Sequence, residues 1–440
     1  MINIKSDSHT FKHIGWKTLL LVMVFSLLTY TIAIAASGDL DPTFSGDGKL
    51  TTDIAGWDDR AYAVAIQSDG KIVAVGSHSS TLESDFVVVR YNQNGGLDTS
   101  FSGNGIRTTD FGKEDEAKDV AIQSNGKIVV TGNTCEPGGD CDLAVARYNP
   151  NGSLDTTFSG DGKVIVNFGG KDNGTNGSDG GGLVIQPDGR IVVAGFLDNG
   201  SDYDFAVYRL NSNGSLDTTF SSDGKQKIGF GSGRNDTGSD LAIHSGKIVV
   251  AGDTCDAGFG SCNFAITRLN SNGTLDTTFS GDGRTVTDFG GDESGNAVSI
   301  QQDGKVVMAG ATETASGENF ALARYNLNGS LDTSFSLDGK QTTHFPGFAA
   351  WAGGVVIQPD GKIVAVGLIE IGESDDFALV RYKTNGWLDT TFSGDGKVTT
   401  DFGLDSMAMA VALQSNGRII AAGWANDGID RDIALARYLP

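Results

Sequence analysis

Short apolar runs, cut apart by Gly, Asp-Gly and Asn-Gly, recur along the chain from about residue 40 to its end. From Lys163 the order is KVIVNF, a Gly-rich loop, LVIQ, a PDG turn, RIVVAG, a variable loop and FAVYRL. NSNG then turns the chain back to LDTTFSSDGK. Runs of Val, Ile, Phe and Tyr suit a pleated, largely buried surface. Asn-Gly and Asp-Gly between such runs are the strongest short hairpin signals. No segment beyond residue 36 keeps a helical period. Each unit therefore predicts four antiparallel strands.

The unit recurs seven times. Its LDxxF phrase starts at residues 40, 97, 154, 216, 275, 331 and 388, at spacings of 57, 57, 62, 59, 56 and 57. Repeated four-stranded units stack into one body, and their radial arrangement is a seven-bladed all-β propeller. A linear β-solenoid is the competing arrangement, but its coils are usually shorter and lack tight hairpins. The phase of the repeat adds a closure. The first strand after residue 36 (LTTDI) follows an LDxxF phrase, and the last (IALARY) stops where the next phrase would come. The N-terminal strand is thus expected to complete the last blade, built from 406–440 plus 38–55, which removes two open sheet edges. AVAIQ-type segments, the first at Ala61, are placed innermost, and KVTTDF-type segments outermost. Residues 36–440 then form one domain.

The pattern LDxxFSGDGK, AIQxDGKIVVAG, DFAxxRYN resembles the delta-60 repeat family of mostly exported bacterial proteins, across all seven units. The IQSDGKIVAVG segment is also similar to NHL-type blades. The resemblance implies an extracellular, propeller-like repeat protein, with no defined biochemical activity. One unit departs from the pattern: Ile243–Lys247 is a residue short in its turn, and His244 stands where the other six have Gln.

Composition narrows the setting. A net charge of -23 argues against nucleic acid, which requires clustered Lys and Arg, and against an anionic membrane surface. The acids are spread through turns, as on a solubilising surface; affinity for Ca²⁺ or a basic partner is the sharper reading. Residues 1–35 read as an export signal. Lys5, Lys12 and Lys17 precede an apolar stretch from Thr18 to Ile32, and Ala33-Ile34-Ala35 is a cleavage site. An uncleaved anchor is the alternative. No second apolar segment of spanning length follows. The expected location is secreted or at the cell surface. Cys135 with Cys141 and Cys255 with Cys262 lie at one point of their repeats and are expected to form two local disulfides. Each is worth roughly 2 kcal/mol in the chain-entropy model. A Cys₄ zinc site would have to join two repeats and lacks CxxC spacing.

Chemistry-bearing patterns are few. Arg90, Arg147, Arg209, Arg268, Arg324, Arg381 and Arg437 each end a third strand, and an Asp follows in the next LD phrase. A hairpin brings the two together. A feature shared by every unit is architecture rather than a ring of anion sites. The LDTTFSGDGK phrase lacks the alternating ligands and late Glu of an EF-hand, and no P-loop spacing occurs. The loop 169–182 offers Asp172, Asn173, Asn176 and Asp179 as weak Ca²⁺ ligands. No other cofactor is expected. His78, His244 and His344 fall in different units without shared spacing, so a His-based metal or triad site is not expected. Asp375 and Asp376 are adjacent and would point to opposite faces of a strand.

Two of the four loop sets vary in length, and strand alternation puts both on one face, where binding usually resides. Trp57, Trp351 and Trp424 fall there, with Asp58, Asp59, Asn426 and Asp427 beside the first and last. They are candidates for a sugar-stacking patch, against the alternative that each Trp caps a blade. The expectation is a non-enzymatic binding or scaffold propeller whose partner is carbohydrate or an extracellular protein. A polysaccharide hydrolase or lyase, and a calcium-stabilised structural protein, are the competing readings. Carboxylates and aromatics converging at one channel mouth would favour the enzyme.

Overall fold

The computed structural model describes residues 36–440 apart from 80–82, 137–140, 168–180, 316 and 373. Among the described residues no helix is long and apolar enough to cross a membrane. The strands form seven four-stranded antiparallel sheets. Strand β1 (Lys49–Thr52) stands apart from the sheet that follows it. Blade 1 is β2 (Asp59–Ile66), β3 (Ile72–Ser79), β4 (Ser84–Tyr91) and β5 (Ile106–Thr109), paired in that order. Blade 2 repeats it with β6 (Glu114–Ile122), β7 (Ile128–Cys135), β8 (Cys141–Tyr148) and β9 (Lys163–Val166). Blade 3 is β10 (Leu183–Ile185), β11 (Ile191–Asp198), β12 (Tyr203–Leu210) and β13 (Lys225–Ile228). Blade 4 is β14 (Asn235–His244), β15 (Lys247–Cys255), β16 (Cys262–Leu269) and β17 (Arg284–Thr287). Blade 5 is β18 (Glu293–Ile300), β19 (Val306–Thr314), β20 (Gly317–Tyr325) and β21 (Lys340–Thr343). Blade 6 is β22 (Ala350–Ile357), β23 (Ile363–Ile371), β24 (Ser374–Tyr382) and β25 (Lys397–Thr400). Blade 7 is β26 (Ser406–Leu413), β27 (Ile419–Asn426), β28 (Arg431–Tyr438) and, outermost, β1.

The propeller therefore closes as the repeat phase predicts. β1 pairs with β28 from Lys49↔Ala436 to Thr52↔Ile433. Leu40 bridges Tyr438 as Leu97 bridges Tyr91 one blade on, so the N-terminal LDPTF phrase does in blade 7 what the other phrases do in theirs. The first strand of each blade touches that of the next all round the ring, including β26 against β2. A β-solenoid is excluded by this geometry.

Apolar clusters fill the spaces between neighbouring blades. At the closing seam, Phe44, Ile72, Val87, Ile420 and Leu435 pack together, all fully buried. The repeated Arg is the polar fastener. In blade 1, Arg90 Nε donates to Asp98 at 2.7 Å, Nη2 to Ser100 at 3.1 Å, and Nη1 to the Pro150 carbonyl of blade 2 at 2.6 Å. Its guanidinium also lies 4.7 Å from the Phe101 ring centroid. The set recurs round the ring and ends with Arg437, which holds Asp41 and the Gln93 carbonyl of blade 1. Burial drives the Asp98 carboxyl upward, but the Ser100 hydrogen bonds and Arg90 outweigh it and hold it down at about 2. The Ser after the buried Phe adopts a left-handed backbone, φ 53° at Ser102, which turns its N–H onto the Asn151 carbonyl of the next blade at 2.8 Å.

The disulfides Cys135–Cys141 and Cys255–Cys262 are present. Each joins the last paired residues of a hairpin, β7–β8 and β15–β16. Because those strands are already hydrogen-bonded along their length, Cys135→Ser is expected to lower stability by about 2 kcal/mol or less. Urea denaturation with and without a thiol reductant checks this; collapse of the fold on reduction would contradict it.

Candidate functional site

Six of the first strands carry a β-bulge in their middle, for example between Ala61 and Ala63, and between Ala117 and Asp119. The bulge sets the preceding carbonyl against the neighbouring strand, where only glycine fits. A Cβ on Gly76 would lie 1.8 Å from the Arg60 carbonyl oxygen, and one on Gly132 1.9 Å from that of Glu116. The Gly of the IVAVG-type segment is therefore imposed by the bulge opposite it. Extra residues of this kind re-aim a side chain. Here they line a depression of about 180 Å³ to which six first strands and the Gly181–Gly182 segment just before β10 contribute.

The bulge positions carry Tyr62, Lys118, Ser239, Asn296, Gly353 and Met409, and Gly181 takes the equivalent place in blade 3, where the pairing of β10 with β11 shows no bulge. Lys118 is buried, its Nζ 2.7 Å from Glu116 and 4.1 Å from the Tyr62 ring centroid. Asn296 Nδ2 donates to the Ala352 carbonyl at 2.9 Å. Trp351 occupies the side-chain-free space over Gly353, its ring 3.1 Å from where a Cβ would stand. It lies not in a variable loop but in β22, as the second residue of that strand, on the side of the bulge that faces the loops.

The next position along each strand is Ala or Gly in five blades and Asp119 or Asp240 in two. Asp119 accepts from the Val120 N–H at 2.7 Å and from Leu183 of blade 3 at 2.6 Å. Asp240 accepts from Leu241 at 2.7 Å and from Val298 of blade 5 at 2.7 Å. Each carboxylate thus clips its strand to the next blade. Burial pushes the Asp240 carboxyl up to about 6, and it pushes Asp119 well above the carboxylate range, with the Asp240 charge adding to the effect. The arrangement holds an aromatic surface, a cation and amide donors at the mouth, above two acids of unequal proton affinity.

The other sequence candidates are dispersed. Trp57 is 40% exposed in the loop between β1 and β2. Trp424 does not lie in a loop: it is 8% exposed within β27, with the Arg431 guanidinium 4.7 Å from its ring centroid. β27 is buried on both faces from Ile419 to Ala425, so Trp424 is covered whichever face it takes. Asp58 accepts from Arg60 and Arg431 at 3.3 and 3.2 Å. His78 pairs with Asp59 at 2.7 Å, His344 with Asn319 at 2.8 Å, and His244 ends β14. The loop candidates Asp172, Asn173, Asn176 and Asp179 lie outside the described residues.

A family model described as a domain of unknown function, the DUF5122 beta-propeller, matches residues 67–101, 123–158, 186–220, 245–279, 301–335, 358–392 and 414–440. No curated protein matches the chain. Among solved structures, a catalytically inactive virginiamycin B lyase from Staphylococcus aureus with quinupristin aligns at a TM-score of 0.50 and 9% identity, over 88% of this chain and 98% of that one. The polysaccharide lyase Uly1 aligns at 0.49 and 12%, over 88% and 91%. An α-L-arabinanase from Penicillium chrysogenum with arabinobiose aligns at 0.43 and 11%, over 72% and 91%. At these identities the likeness is one of fold.

Proposed function

The chain belongs to the DUF5122 β-propeller family, and from that premise we propose that it is an exported binding propeller that takes a carbohydrate-like ligand at the variable-loop mouth of its channel. The observation that carries this is the grouping of Trp351 and Tyr62 with Lys118 and Asn296 around one concave surface, Lys118 being held by Glu116. A flat ring beside fixed donors and acceptors suits a sugar, which offers C–H faces and hydroxyls together. The two disulfides support an oxidising location. Glycan-array screening followed by calorimetry tests the reading. Trp351→Ala is expected to weaken binding about 10- to 100-fold, the range for a central aromatic anchor, with little change in melting temperature. Unchanged affinity in that variant would overturn the assignment.

Catalysis is the second reading, and Asp119 and Asp240 are what favour it. Two acids whose environments separate their proton affinities are the ordinary equipment for acid–base work. Both oxygens of each are hydrogen-bonded to backbone amides, however, which suits a structural clip better. Turnover of a bound polysaccharide that disappears in Asp240→Asn would establish the enzyme; binding without turnover supports the module.

A further inference from the structure

The seam where the two ends of the chain meet holds a group of acids that the channel mouth does not use. Asp53 lies just after β1, Asp59 opens β2 and Asp432 lies at the start of β28. One carboxylate oxygen from each falls within 4.8 Å of the others. Asp59 is fully buried, yet its oxygens are answered by His78 Nδ1 at 2.7 Å and the Ile54 N–H at 2.6 Å. Asp53 Oδ1 accepts from the Gly56 N–H at 2.7 Å. Asp432 differs. It is 5% exposed, and its Oδ1 has no hydrogen-bond partner although it is buried. The charged groups facing it are Asp53, Asp59, Asp427 and Asp430, all acidic. The nearby Arg60 and Arg431 are engaged by Asp58.

A buried carboxylate oxygen without a donor is costly unless a cation or proton answers it. We propose that Asp53, Asp59 and Asp432 bind a hard divalent cation of the Ca²⁺ type, which ties the first strand of the propeller to the last. The donors are all oxygen, which selects a hard ion over zinc or copper. Three carboxylates with water suit Ca²⁺, which takes oxygens at about 2.3–2.6 Å in flexible geometry, better than Mg²⁺, which demands near-ideal octahedral geometry and dehydrates reluctantly. Water completes the shell from the exposed Asp53 side. The same positions one blade on hold Asp85, Asp110 and Asp115; there Asp115 Oδ1 is likewise buried without a partner, but Asp85, the counterpart of Asp432, is only half-buried, so the seam encloses its carboxylates more fully.

The test uses the full chain stripped with EDTA and then given Ca²⁺ or Mg²⁺, read by hydrogen exchange at β1 and β28 and by thermal melting. Ca²⁺ is expected to slow exchange of the β1 amides at least 10-fold and to raise the melting temperature. Both effects should vanish in Asp432→Asn and in the exposed variant Asp53→Asn, and the exchange effect at β1 should persist in Asp110→Asn. Asp432→Asn without metal should melt no lower than the stripped wild type, because it removes repulsion, so loss of the effect cannot be mistaken for misfolding. Equal exchange at the seam with and without Ca²⁺, or protection that survives Asp432→Asn, would overturn the site. Protection by Mg²⁺ alone would overturn the ion assigned.

Discussion

A chain that starts at Ala55 is expected to lose cooperative folding. The missing segment supplies β1, the Gly38 N–H bonded to the Leu439 carbonyl, and the Asp41 N–H bonded to the Arg437 carbonyl. It also supplies Phe44, fully buried beneath Arg437, and Asp41, the carboxylate that both Arg437 and Arg418 address. Removing a buried Phe costs about 3–5 kcal/mol, and stranding a buried Arg costs about as much again. The lost strand pairing and the newly open edge of β28 add to this. The sum is comparable with the whole stability of an ordinary domain, about 5–15 kcal/mol. Circular dichroism, dye binding and gel filtration should report a loosely packed or aggregating chain. A peptide of residues 36–56 added in trans should restore the native state. A monomeric truncated chain with the wild-type denaturant slope would show that the ring holds without its fastener.

The second large effect is expected at a single fastener inside the ring. Arg324 holds Asp332 at 2.8 Å and Ser334 at 3.2 Å, reaches the Thr384 carbonyl of blade 6 at 2.5 Å, and covers the Phe335 ring at 4.7 Å. Arg324→Met keeps the bulk but leaves Asp332 buried, with Lys305 at 3.0 Å as its remaining cation. Losing one partner of a buried pair costs about 3–5 kcal/mol, and Lys305 places this case near the lower end. Arg324→Met with Asp332→Asn should recover part of the loss, since the orphaned charge is then gone. Urea midpoints for the single and double variants check both statements; a single variant within 1 kcal/mol of wild type, against the roughly 3 expected, would show that Lys305 suffices.

These fasteners were legible before any coordinates, because repetition compares the chain with itself. An Arg and an Asp kept in step through seven units had to meet, whereas the equally regular glycine of the IVAVG-type segments faces, in six blades, a bulge that excludes a side chain. The bulge that excludes it was not legible, since a bulge leaves the alternation on either side intact. The channel acids could have been found from the same comparison. Aligned by their units, Asp119 and Asp240 are the two departures from Ala or Gly, and a departure from a repeat is where one unit does something the others do not. Trp424 misled because a tryptophan beside Asn426 and Asp427 reads as loop, while β27 runs to Asn426. The acid trio at the seam joins residues 53 and 432, a distance in sequence that only the closed ring removes.

The pairing of bulge and glycine separates what is adjustable in this scaffold from what is not. Gly76, Gly132, Gly252, Gly310, Gly367 and Gly423 admit no side chain, because a neighbouring carbonyl already occupies the space. The residue at the crest of each of the six bulges is less restricted, and Tyr, Lys, Ser, Asn, Gly and Met stand there. Six inward sites can therefore vary in residue type while the surrounding frame stays the same. Descent with modification could retune recognition without refolding the host, and a protein engineer inherits the same freedom.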